Sequence, residues 1–301
     1  MIKNHKQQYH DEVRQRTDLR VMTASELKRV QKAYLEMAKD LFEMFACSGV
    51  FATLGGGSVL GAVRHKGFIP WDDDMDINMP RKDFERLKGI FDDHFQGKYI
   101  FNAPNHTSHS GYRCGKIENP QVLVWDETGR RHGLTIDVFI IENLPDSKFL
   151  RFLRGLRSEM YRIIAGLVFE YESSKNEGNQ DVKVSLKRKI CFSAGWFFSF
   201  IKSTQWYDIL DHKNQYHDEE TRMIAIPSGK KHYFGEIYPR DWMCDTVYMP
   251  FETLDLPVPK GFDKYLQHLY GDYSVIPAED QREHHYIHSI VFLSDDQLRK
   301  H

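Results

Sequence analysis

Long apolar runs are missing from this 301-residue chain. The longest, Ile190 to Ile201 (ICFSAGWFFSFI), is too short to span a bilayer. With Lys187, Arg188, Lys189 and Lys202 at its flanks it reads first as a buried helix. The second reading is an interfacial helix beside a membrane-linked substrate. Cysteine is scarce: Cys47, Cys114, Cys191 and Cys244 stand far apart with no CxxC pair. That argues against a disulfide frame or a zinc ribbon and predicts reduced thiols. Charge of one sign is also missing, because the net value is −2. A global electrostatic footprint for nucleic acid is therefore excluded. The first residues, MIKNHKQQYHDEVRQRT, lack the apolar stretch of a signal peptide. A cytoplasmic protein is expected, at most peripheral at the inner membrane face. There are no repeats and no low-complexity segments.

What is present suits a folded globule, with 41% hydrophobic and 13% aromatic residues. The length allows one large domain or two intimate ones. After a polar arm to about residue 22, a helix is predicted from the Thr23 or Ser25 cap to about Cys47. Leu27, Val30, Tyr34, Met37, Leu41 and Phe45 recur on one face, and Gly49 ends it. Strands are predicted at Val50–Leu54, Asp74–Met79, Tyr99–Asn102, Val122–Asp126 and Leu134–Ile141. Short helices are predicted from Ser58 to about His65 and from Pro80 to Phe91. From Asp146 to about Tyr216 the pattern is helical, broken by a polar loop at Ser173–Gln180. An extended piece at Met223–Pro227 and a helix at Phe262–Tyr270 follow. The fold class expected is α+β, a mixed β-sheet with flanking helices and a mostly helical C-terminal half.

The most informative stretch is LGGGSVLGAVRHKGFIPWDDDMDINM, Leu54 to Met79. It joins a glycine turn, a short basic helix and four aspartates. In an extended segment Asp74 and Asp76 share a face, roughly 7 Å apart at Cα. Carboxylates that close repel and have raised pKa values unless a cation lies between them. Mg²⁺ or Mn²⁺ is the natural occupant, since hard divalent ions take oxygen ligands and bridge to phosphates. A glycine turn feeding a helix N-terminus is a phosphate cradle. Three better-known motifs fail. A dinucleotide fingerprint from Gly55 lacks its third glycine at Leu60, and one from Gly56 puts Gly61 out of register with a second glycine. A P-loop from Gly56 to Gly61 continues with Ala62 and Val63 instead of lysine and Ser/Thr. An EF-hand would need glycine at Ile77 and glutamate at Asp83. Asp137, alone in the apolar strand LTIDVFII, supplies a third carboxylate from a separate segment.

GGGSVLGAVRHKGFIPWDDDMDINMPRKDFERL, TIDVFIIENLP and PFETLDLPVPKGFDKYLQHLYGDYSVIPAED together resemble the LicD family, which includes the fukutin-related glycan phosphotransferases. The resemblance covers about residues 23–145 and 235–285, with a divergent helical middle. It departs from the family's usual Gly-Thr at Gly57-Ser58, and Met75 replaces a more usual Ile or Val. It implies a nucleotidyltransferase-like core over 23–145 and a helical region over 146–301 whose end closes the site. It also implies transfer of a phospho-alcohol from a CDP-alcohol, CDP-choline first, to a sugar hydroxyl of a glycan or lipid-linked glycan, releasing CMP. On this reading Asp74, Asp76 and Asp137 are catalytic and, with Asp72, hold two Mg²⁺ for in-line displacement. Asp137 is the first choice to take the acceptor proton. Gly56, Gly57 and Ser58 offer backbone amides to the diphosphate, and Arg64 and Lys66 stand beyond them. Lys116, expected in a KIENP turn, reaches the same phosphates. Trp71 braces the aspartate strand, and Tyr265, Tyr270, Gly271, Asp272 and Tyr273 seal the site. The trio His284, His285 and His288 lacks a nearby fourth ligand, so zinc is disfavoured. Trp125, Tyr112 and Tyr286 could face a choline ammonium. The alternatives are a nucleotidyltransferase using NTP and releasing pyrophosphate, or a catalytically inactive glycan-binding homologue.

Overall fold

The computed structural model describes residues 16–107, 111–176, 186–216 and 219–293. The expected arm as far as residue 15 and loop residues 177–180 lie outside these. Helix α1, Ala24–Ser48, begins where the sequence signals it. The Thr23 hydroxyl accepts the Glu26 amide at 3.3 Å, and the Glu26 carboxylate accepts the Thr23 amide at 2.8 Å. Two backbone N–H groups at the helix start are thus satisfied reciprocally. Gly49 stops the helix with φ +61, a left-handed value that glycine adopts without steric cost. The predicted stripe is the buried one: Val30, Tyr34, Met37, Leu41 and Phe45 are each 3% exposed or less. Burial of each is worth roughly 1.5–3 kcal/mol.

Next come β1 (Thr53–Leu54), α2 (Gly56–His65), β2 (Met75–Pro80), α3 (Arg81–Phe95) and β3 (Ile100–Asn102). Two long strands follow, β4 (Gly115–Asp126) and β5 (Arg131–Leu144). The helical middle is α4 (Lys148–Asn176), α5 (Leu186–Phe198) and α6 (Ser203–Asn214). The remainder is β6 (Met223–Ala225), α7 (His232–Gly235), β7 (Ile237–Pro239), α8 (Arg240–Met243), β8 (Thr246–Phe251), β9 (Leu254–Pro259), α9 (Phe262–Tyr270) and β10 (Ile287–Phe292). The α+β expectation holds: a mixed sheet runs β1-β2-β5-β4-β10, with β3 on β4, β6 on β5 and β7 on β6. Only β2 and β5 run parallel.

Three details differ from the sequence pattern. Lys116 lies within β4, not in a turn, because a register shift between Asn119 and Leu123 lets the strand run on past Pro120. A bulge is where a sheet tolerates proline. Strand β2 starts at Met75, one residue after Asp74. The second half holds more strand than its periodicity shows, and β10 pairs with β4 at the edge of the sheet.

A buried ion cluster ties the helical middle to the sheet. The Arg81 guanidinium meets Glu142 on β5 and Asp211 on α6, the latter at 2.6 Å. All three residues are under 10% exposed. No helix among the described residues is long and apolar enough to cross a membrane.

Candidate active site

The glycine turn is built to receive side chains from β2 and the loop before it. A methyl group on Gly55 would meet the Asn78 carboxamide at 2.9 Å, and one on Gly57 would meet Asp72 Oδ2 at 3.1 Å. Gly56, at φ +42, presses hardest: its Cβ would lie 2.8 Å from Asp76 Oδ2. The three glycines thus let two carboxylates lie against the start of α2. Ser58 Oγ accepts the Asp76 amide at 3.0 Å, and the Gly55 amide donates to the Asp76 carbonyl at 2.8 Å, so turn and strand are pinned together. The Gly56 amide donates to the Tyr265 hydroxyl at 3.0 Å. The amides of Gly57 and Ser58, in the helix's first turn, have no carbonyl four residues back and remain open to an anion.

Asp137 is the direct register partner of Asp76 across the parallel β2–β5 pair. Neighbouring strands lie about 4.8 Å apart, so the two carboxylates leave the sheet side by side. Lys116 is in turn the register partner of Asp137 across β4–β5, and its Nζ sits 2.5 Å from Asp137 Oδ1. One row across three strands therefore reads Asp76, Asp137, Lys116. Burial alone would push the Lys116 ammonium down, but Asp137, with Cys114 and Tyr112, makes the net shift upward. The Cys114 thiol lies 3.9 Å from Asp137 Oδ2 and is pushed up to about 12, by burial first and Asp137 second.

The aspartate cluster is electrostatically crowded. Burial raises Asp76 well above the usual carboxylate range, and Asp74, Asp137 and Asp72 add to it. Asp72 is raised well above that range by burial and then by Asp74 and Asp73. Asp74 is raised by burial, with His285 opposing. The Asp74 carboxyl, beside Asp72, raises that group further. Asp73 points to the other side and accepts from His285 Nδ1 at 2.6 Å. That bond lifts His285 to about 9 against the effect of burial.

Among the described residues no three carboxylate, imidazole or thiol groups already form a ligating cluster, the aspartates included. The chemistry of the donor set nonetheless fits a hard divalent cation. Four carboxylates converge where burial and mutual repulsion penalise their charge, and a cation would relieve both.

Two cavities meet at this cluster. One of about 500 Å³ is lined by Gly56, Gly57, Asp72, Asp74 and Asp76, and from the far end of the chain by Lys230, Glu236 and Tyr270. The other, of about 340 Å³, is lined by Asp73, Asp74, Asp76, Lys116, Asp137, Tyr34 and His285. Asp74 and Asp76 form a wall common to both.

The other expected residues divide. Arg64 lines the larger cavity, yet its guanidinium is spent holding the closing segment, donating to the Tyr273 carbonyl at 2.9 Å. Lys66 is exposed at the left-handed end of α2, and its carbonyl accepts the Glu252 amide. It lines neither cavity. Trp71 packs against the core, carries the Arg282 guanidinium 4.2 Å over its ring, and lines the larger cavity. Tyr265, Tyr270, Asp272 and Tyr273 line the larger cavity. The histidines part company, with His285 on Asp73 and His288 beside Asp18. Lys230, Glu236, Tyr34 and Asn78 were missed by sequence reasoning. For Asn78 the alternation Asp74, Asp76, Asn78 was an available signal.

A family model, the LicD/FKTN/FKRP nucleotidyltransferase domain, matches residues 49–150. The lipopolysaccharide cholinephosphotransferase LicD of Haemophilus influenzae is 24% identical over 243 residues, which covers 80% of this chain and 88% of that protein. The ribitol 5-phosphate transferase FKRP of Homo sapiens is 28% identical over 96 residues, 32% of this chain and 16% of that protein.

Proposed function

Since residues 49–150 are a nucleotidyltransferase domain of the LicD/FKTN/FKRP family, we propose that the chain transfers a phospho-alcohol from a CDP-alcohol to a sugar hydroxyl of a cell-surface glycan or its lipid-linked precursor, releasing CMP. CDP-choline is the donor of first choice, on the strength of the relative that spans 80% of the chain. The observation that carries the reading is the shared wall: Asp74 and Asp76 face two cavities at once. A displacement at phosphorus needs such an arrangement, with leaving and attacking oxygens arriving from opposite sides.

The larger cavity takes the nucleotide half of the donor. The open amides of Gly57 and Ser58 hold a diphosphate oxygen, and Lys230 supplies a cation from the opposite wall. The smaller cavity admits the acceptor hydroxyl beside Asp137 and Lys116. The hydroxyl oxygen attacks the phosphorus bearing the alcohol, its proton passes to Asp137, and the bond to the CMP phosphate oxygen breaks. Asp72, Asp74, Asp76 and Asp137 would hold Mg²⁺ or Mn²⁺, which supplies positive charge to the donor phosphates and acidifies the acceptor hydroxyl. Lys116 keeps Asp137 aligned on the sheet, and Tyr265 and Tyr270 keep water from the turn.

The test is incubation with CDP-choline, CDP-ethanolamine, CDP-glycerol and CDP-ribitol plus Mg²⁺, with and without glycan acceptors, measuring CMP. Acceptor-dependent CMP release that stops in Asp76→Asn supports the proposal. Pyrophosphate release from an NTP would instead mark ordinary nucleotidyl transfer. Neither product, with a phenotype unchanged by Asp76→Asn, would mark an inactive binding homologue.

A further inference from the structure

Large apolar side chains exposed to solvent are concentrated in one part of the molecule. Along α4, Phe149, Phe152, Leu153, Leu156, Met160 and Ile163 are each 44% exposed or more. Their spacing of three and four residues puts them on a single helix face. The stripe runs about 21 Å at 1.5 Å per residue. The opposite face does the packing: Gly155, Ser158, Ala165 and Val168 are buried. Alongside lies α5, and at its end Trp196, Phe197 and Phe200 are each at least 64% exposed. At the start of the stripe Phe234 on α7 extends the patch, its ring 5.8 Å from that of Phe152. A monomer rarely leaves so much contiguous apolar surface without a use.

The charge around the patch selects its partner. Between Lys148 and Ile163 the helix carries Lys148, Arg151, Arg154, Arg157 and Arg162 against Glu159 alone, in a chain whose net charge is −2. Arg162 pairs with Glu159 at 2.7 Å, Arg154 donates to the Asn214 and Gln215 carbonyls, and Arg157 donates to the Lys213 carbonyl near the end of α6. Lys148 is exposed at the head of the stripe. A second copy laid face to face would bring these cations against their own kind. An anionic bilayer accepts both features, taking Phe and Leu side chains into the acyl boundary and cations among the headgroups.

We infer that the α4 face from Phe149 to Ile163, flanked by the aromatic end of α5, is a monotopic docking surface for an anionic lipid bilayer. The helix lies flat on the membrane instead of crossing it. The expected interfacial segment, Ile190–Ile201, is on this reading the flank of the surface, with α4 its main body. The inference does not rest on the transfer reaction, and membrane binding decides its test.

The experiment is flotation of the full chain with phosphatidylcholine vesicles containing or lacking about a third phosphatidylglycerol, at low and high salt. The native protein is expected to float with anionic vesicles and to be released by salt. Phe149→Ser/Phe152→Ser/Leu156→Ser should lower partitioning at least tenfold, with the circular dichroism spectrum and any CMP release from a CDP-alcohol in the presence of a water-soluble acceptor unchanged. Lys148→Glu/Arg151→Glu should lower it about fivefold per cation removed. Failure of the native protein to float, or flotation of the triple serine variant at the native level, overturns the inference. So does a concentration-dependent dimer that dissociates in the serine variant while neither protein floats.

Discussion

Replacing Gly56 by alanine separates two things that this glycine does. The backbone there sits at φ +42, where an L-residue with a Cβ pays a penalty. That penalty is about 1–2 kcal/mol. The new methyl group would also stand 2.8 Å from Asp76 Oδ2, closer than real Cβ atoms approach an oxygen. The Asp76 amide is fixed to Ser58 Oγ and its carbonyl to the Gly55 amide, so the strand cannot retreat. The carboxylate must swing away by several tenths of an ångström. A displacement on the order of 1 Å at a reacting group costs roughly a hundredfold in rate. Gly49 provides the control: its φ is +61, but the nearest atom to its Cβ would be Arg86 Nη1 at 3.6 Å. Gly49→Ala therefore carries the backbone penalty without disturbing a carboxylate. Both variants should lose a similar 1–2 kcal/mol in urea unfolding. Only Gly56→Ala should lose CMP release and weaken Mn²⁺ binding measured by electron paramagnetic resonance. If Gly56→Ala retains both functions at the level of Gly49→Ala, the glycine turn does not seat the catalytic carboxylate and the argument for the site fails.

Asp76→Asn removes one charge from a cluster where burial and neighbouring carboxylates oppose ionisation. In chelator it should raise the melting temperature while abolishing transfer; a lower melting temperature would show that the carboxylate stabilises the fold. Arg81→Met strands Glu142 and Asp211 as buried charges and should cost about 3–5 kcal/mol. Adding Glu142→Leu and Asp211→Leu should recover most of that loss, and a triple variant no more stable than the single one would refute the account. Glu236, 2% exposed, has its carboxyl raised by burial to about 7 from a usual 4.5. Between those values the folded protein holds a proton that the unfolded chain has released, so this group's contribution makes stability fall as pH rises from about 4.5 to 7, by up to about 3 kcal/mol. Glu236→Gln should flatten that part of the pH–stability curve, and an unchanged slope would contradict the assignment.

Local patterns carried much of the site, and long-range pairings carried the rest. Asp74 and Asp76 were legible because alternation sets which side chains share a face, and Asp137 because a lone charge in LTIDVFII, with a DxD strand wanting a third ligand, outweighed the alternative of a buried structural hydrogen bond. Their register, Asp76 beside Asp137, could not be read, since nothing in either segment specifies how the two strands align. Lys116 was misplaced for a physical reason: Asn119-Pro120 has the chemistry of a turn, and only the neighbouring strand reveals that a bulge absorbs it. Lys66 looked like a phosphate ligand by proximity in sequence, but the left-handed residue ending α2 turns the chain away there. Lys230 and Glu236 reach the larger cavity from more than 150 residues beyond the glycine turn, and no local signal marks them. Strand β10 escaped notice because IHSIVF is short and follows a histidine-rich loop, so only its partner β4 identifies it.

The imidazole–carboxylate tether from His285 to Asp73 means the candidate site is stitched together by segments more than 200 residues apart. During synthesis the aspartate loop leaves the ribosome more than 200 residues before its fastener does. A nascent chain therefore carries an unbuttoned aspartate loop until that histidine has emerged.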